Sequence, residues 1–79
     1  MADLAELILE LVRARGSEKS ICPSEVARAA NPDHWRQFME PVRQAARELC
    51  HQGLIEICQG GEPVDPDHFR GPVRLRVRS

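Results

Sequence analysis

Two sets of side chains have types and spacings suited to binding chemistry. Arg36, Glu40, Arg43, Arg47 and His51 recur at three- and four-residue intervals, with Gln37 and Gln44 flanking them, a spacing that gathers them on one side of a helix. Arginine and glutamine carry the paired donors and acceptors that read guanine and adenine edges in a major groove, and arginine also holds phosphates. The same surface has a plainer use, as a solvated face with Arg36–Glu40 and Glu40–Arg43 pairs worth about 0.2–0.5 kcal/mol each. The second set is Arg70, Arg74, Arg76 and Arg78, the last three at every second position. Such a row can follow a DNA backbone, where each neutralised phosphate releases counterions. It can equally protect an exposed strand edge, with Arg74 or Arg76 paired to Glu56 on a neighbouring strand. Glu62, Asp65 and Asp67 lie close by in sequence and oppose a phosphate backbone, so Arg43 or Arg70 has the alternative task of holding this segment through Asp65.

Catalytic patterns are missing from the sequence. It has no Ser-His-Asp order, no paired carboxylates, no phosphate-cradling glycine loop and no dinucleotide fingerprint, so we expect neither an enzyme nor a bound cofactor. Cys22, Cys50 and Cys58, with His34, His51 and His68, include no Cys-x-x-Cys and no His-x3-His spacing, and no metal is expected. Three cysteines fit thiols in a reducing compartment better than a disulfide framework. Cys22 suits a helix cap or a small buried position; its helix N-terminus also suits a redox thiol.

The net charge of −1 gives no global attraction to nucleic acid, but the charge is uneven: residues 68 to 79 carry four arginines and no acid. A hydrophobic fraction of 42% with only three aromatic residues, Trp35, Phe38 and Phe69, implies an aliphatic core. A chain this short buries only about 60% of its unfolded surface, so stability will be modest. No apolar run approaches membrane-spanning length and the N-terminus is unlike a secretory signal, which places the expected location in the cytoplasm.

The elements that must position these side chains follow from periodicity. Leu4, Leu7, Ile8 and Leu11 mark a first helix from Asp3 to Arg15, stopped by Gly16. Ile21 makes a short extended stroke. Cys22-Pro23-Ser24-Glu25 reads as a capping box with a thiol in the cap, opening a second helix to about Ala30. Trp35, Met39, Val42, Ala46 and Leu49 predict a long third helix, kinked at Pro41, with Trp35 anchoring its start in the core. Leu54 to Gln59 and Val73 to Arg78 read as two strands of a hairpin. The long connection over residues 60 to 72 holds three prolines and three glycines and is expected to be shaped, with Asp65, Gly71 and Pro72 as its structuring residues.

This order predicts an α+β, mostly helical fold, a winged helix-turn-helix with three helices and a C-terminal two-stranded hairpin carrying a long wing loop. One domain would span residues 1–79, with the helix-turn-helix at about 22–52 and the hairpin and wing at about 54–78.

The runs Cys22-Pro23-Ser24-Glu25-Val26-Ala27-Arg28, Trp35-Arg36 with Met39 and Val42-Arg43 beyond it, Gly53-Leu54-Ile55, Gln59-x-Gly61, Val64-Asp65-Pro66 and Gly71-Pro72-Val73-Arg74-Leu75-Arg76 resemble the small bacterial family catalogued as domain of unknown function 3253. The resemblance implies a winged-helix-like fold in bacterial cytoplasm and no established activity. The expected function is nucleic-acid binding, with double-stranded DNA as ligand and Arg36, Gln37, Arg43, Gln44, Arg47, Arg70, Arg74 and Arg76 as contacts. The alternative is a non-catalytic module that docks a protein partner or a second copy of itself, with no membrane involved.

Overall fold

A computed structural model describes residues 3–16 and 18–78 of the chain. Helix α1 covers Leu4–Arg15. Asp3 caps it, its carboxylate accepting from the Ala5 amide at 3.0 Å, and Gly16 ends it at a positive φ of 89° that returns its amide to the Val12 and Arg13 carbonyls. Helix α2 covers Pro23–Ala30. Glu25, at its third position, reaches back to accept from the Cys22 amide at 2.7 Å, and Ser24 donates to the Cys22 sulfur at 3.1 Å. The expected capping box is therefore present, with proline at the first helical position, where no amide is needed.

The third helix differs from expectation. A 3-10 turn covers Trp35–Phe38 and helix α3 covers Met39–His51, so the break precedes Met39 and there is no kink at Pro41. The cause is steric. In a continuous α-helix from Trp35 the Pro41 ring would clash with the Gln37 carbonyl and leave it unpaired. Starting α3 at Met39 puts Pro41 in the first turn, where a missing amide costs nothing. The Asn31 side chain closes the link from α2, accepting from the Asp33 and His34 amides at 3.2 and 3.1 Å.

The sheet has three antiparallel strands, not two: β1 at Ile55–Gln59, β2 at Glu62–Pro63 and β3 at Arg74–Val77, in the order β2-β1-β3. Gly60 and Gly61, both at positive φ (60° and 83°), form the two-residue turn that folds β2 back onto β1, a conformation that side chains disfavour. Ile21 adds an isolated bridge to Leu75, with both backbone hydrogen bonds formed at 2.7 and 2.8 Å. About half of the chain is helical rather than most of it.

Ile8 and Val12 of α1, Val26 and Ala27 of α2, and Val42, Ala46 and Leu49 of α3 bury against Ile55, Ile57 and Leu75 of the sheet, with Ile21 and Val73. This core is wholly aliphatic. Trp35, expected as a core anchor, is only half-buried and packs at the edge of the cluster, because the 3-10 turn lifts it off the α3 stripe. Among the described residues no helix is long and apolar enough to cross a membrane.

Candidate nucleic-acid interface

Helix α3 and the connection between β2 and β3 pack against each other, and this contact sorts the basic side chains. Val64 and Phe69 fasten the loop to the core cluster. His51 Nε2 lies 3.0 Å from Asp67 Oδ1, and the Arg47 guanidinium sits 5.3 Å from the centre of the Phe69 ring. From inside the hairpin, Gln59 Nε2 donates to the Arg70 carbonyl and, at 3.1 Å, to that of Pro72. Gly71 takes a positive φ of 81° between these two carbonyls. The loop is thus held from both sides.

Asp65 shapes the loop through partners nearer than expected. Its carboxylate accepts from the Asp67 amide and pairs with His68 Nδ1, each at 2.9 Å, and neither Arg43 nor Arg70 pairs with it. The Asp67 amide, and after it His68, hold the Asp65 carboxyl below its ordinary range, and the same hydrogen bond holds the His68 imidazolium above its own. A turn over residues 65–68 satisfies this acid locally, which no distant arginine has to do.

The eight predicted contact residues separate into three groups. Arg36, Gln37 and Gln44 are exposed along the 3-10 turn and the first half of α3, and Arg70 is exposed on the loop. Arg47 is half-buried, 3.5 Å from Glu40 and 3.3 Å from Gln44 Oε1, so Glu40 pairs with Arg47 and not with Arg36 or Arg43. Arg43, also half-buried, lines one crevice with Met39, Pro72 and Val73 and enters no ion pair among the described residues. Arg74 and Arg76 are committed elsewhere. Arg74 donates to the Ser20 hydroxyl and carbonyl at 2.8 and 2.9 Å, tying β3 to the segment before Ile21. Arg76 holds Glu56 at 3.0 Å in the cross-strand pair that the alternation suggested, which raises its already high pKa.

Three participants escaped the sequence. Arg28 lies 4.4 Å from the centre of the Trp35 ring and Arg36 lies 5.0 Å from it, so two arginines from different elements share one indole. Gln59 stood out only in the family resemblance and gave no signal of this role, since a strand-end glutamine is ordinarily solvated. Phe69 had one, as the single aromatic residue of an otherwise polar loop. The cysteines are thiols; Cys58 is buried and burial pushes its thiol pKa up, which disfavours the reactive thiolate.

A family model described as protein of unknown function (DUF3253) matches residues 1–78. No curated protein matches the chain.

Proposed function

The chain belongs to the DUF3253 family of proteins of unknown function, and from that premise we propose that it is a winged-helix module that binds duplex DNA through α3 and the loop. The order α1, Ile21 bridge, α2, α3, β1, loop, β3 supports the winged-helix reading, as does a sheet in which β3 lies between Ile21 and β1. The observation that carries the DNA reading is the exposure of Arg36, Gln37 and Gln44 on the 3-10 turn and α3, with Arg70 exposed on a loop that meets the same helix where Phe69 packs on Arg47. In this reading the row meets base edges, while Arg70 and Arg47 meet phosphates. Arg74 and Arg76 serve the fold first, because Ser20 and Glu56 occupy them.

Fluorescence anisotropy with a labelled random duplex at low and moderate salt tests this. Binding should saturate, with a dissociation constant on the order of 10⁻⁴ to 10⁻⁶ M at physiological salt. Arg70→Ala should weaken it and reduce the salt slope by about one, and Arg36→Ala, at a base-edge position, should weaken it with a smaller change of slope. Arg70 is exposed and is a better probe than Arg36, Arg43 or Arg47, whose side chains also support packing. No saturable binding at low salt with about 50 μM protein, well within the range expected of non-specific duplex binding, removes the DNA role.

The second reading, a non-catalytic protein-interaction module, is favoured by the exposed carboxylates of Glu62 on β2 and of Asp65 and Asp67 on the same loop as Arg70. Carboxylates at this position repel a phosphate backbone and suit a basic protein surface.

A further inference from the structure

Where α2, α3 and the end of the loop meet, Pro23, Met39, Pro72 and Val73 wall an open crevice of about 340 Å³, with Cys22 and Arg43 at its sides. The walls are mainly apolar and include no carboxylate. Arg43 Nε is buried and has no hydrogen-bond partner, and the guanidinium enters no ion pair among the described residues. A guanidinium is always charged, and a buried Nε with its bond unmade is costly. The site therefore has a half-buried guanidinium with no protein anion among the described residues, set beside apolar walls.

We propose that this crevice binds a small carboxylate with a short apolar body. The carboxylate takes the guanidinium in its fork geometry, and a chain of a few carbons lies against Pro23, Met39 and Val73. The volume stands at the lower end of small-molecule sites, which leaves room for a ligand of this size. A cation is excluded by Arg43, and a bare inorganic anion leaves the apolar walls uncovered. The site stands apart from the duplex contacts proposed above, since it uses Arg43 and needs neither Arg36 nor Arg70.

The test is a titration of the full chain with sodium butyrate replacing sodium chloride at constant ionic strength, followed by amide chemical shifts. Saturable shifts confined to Cys22, Met39, Arg43, Gly71 and Val73 are expected, with half-saturation on the order of millimolar for so small a ligand. Arg43→Met, which keeps most of the side chain's length, should weaken binding at least about tenfold, and Arg43→Lys should fall between, keeping charge without the fork. Acetate should bind more weakly than butyrate, and 1-butanol should not reproduce the butyrate shifts. The proposal is overturned by absent or unsaturable shifts, by equal shifts with 1-butanol, or by unchanged butyrate affinity in Arg43→Met. If Arg43→Met does not fold, the comparison of butyrate, acetate and butanol on the wild type decides.

Discussion

Asp65 and His68 make a small ion pair within the loop, and its pH dependence follows from the direction of each shift. His68 is held above its ordinary value of 6.5, so its contribution is fully present below 6.5 and is lost as pH rises through the folded value. Asp65 is held below its ordinary value of 3.8, so its contribution is present above 3.8 and is lost as pH falls through the lower folded value. Both operate together between those two ordinary values. Both side chains are exposed and solvent screens the pair, so the effect should be confined to the loop. Asp65→Asn should lower the His68 titration midpoint toward 6.5, read from its ring proton shifts. A midpoint that stays where it was would mean that another group holds the imidazolium.

At the scale of elements, α2 shows how one side chain serves two purposes. Glu25 closes the cap on the Cys22 amide with one carboxylate oxygen and meets Arg15 of α1 at 2.8 Å with the other. The Arg15 pair is about half exposed and contributes little, whereas a lost cap bond leaves a helix-terminal amide unsatisfied. Glu25→Ala should therefore cost about 1 kcal/mol and Arg15→Ala clearly less, both measured by urea unfolding. Equal costs would shift the role of Glu25 from the cap to the α1–α2 contact. Helix α3 teaches a related lesson about proline. The apolar stripe keeps its phase across Pro41, yet the backbone obeys the lost amide and moves the helix start to Met39.

For the molecule as a whole, the core is the aliphatic set around Leu75. Leu75 is fully buried, pairs with Ile57 in the sheet and bridges to Ile21, so it joins β1, β3 and the segment that leads into α2. Leu75→Ala should cost about 2–5 kcal/mol, a large part of the stability available to so small a domain. Trp35 is larger but half-buried, and its ring meets two arginines at the edge of the cluster. Trp35→Ala should cost only about 1–2 kcal/mol, from partial burial and two cation–π contacts. Denaturant midpoints of the two variants give the comparison; a greater loss at Trp35 would place the tryptophan, not the sheet, at the centre of the fold.

Sequence alone determined the features whose causes lie within a few residues of one another. Asp3 and Gly16 bound α1, Cys22 to Glu25 form the cap of α2, and the alternation from Val73 to Val77 marks β3, because caps, turns and strand faces are local physics. The strand after Gly60-Gly61 stayed hidden within the expected loop, because β2 is only two residues long and lacks any periodicity to reveal it. Tertiary structure decided which arginines are available. Arg74 and Ser20 stand 54 positions apart, His51 and Asp67 stand 16 apart, and neither pairing has a local signature. A flexible loop can close in many ways at similar entropic cost, so the chain must first bury Val64 and Phe69 before Arg47, Arg43 and Arg70 acquire their different surroundings. Charge and spacing put all eight candidate contacts in one class; docking of the loop on α3 set Arg47 and Arg43 apart from the exposed residues, and Ser20 and Glu56 claimed Arg74 and Arg76.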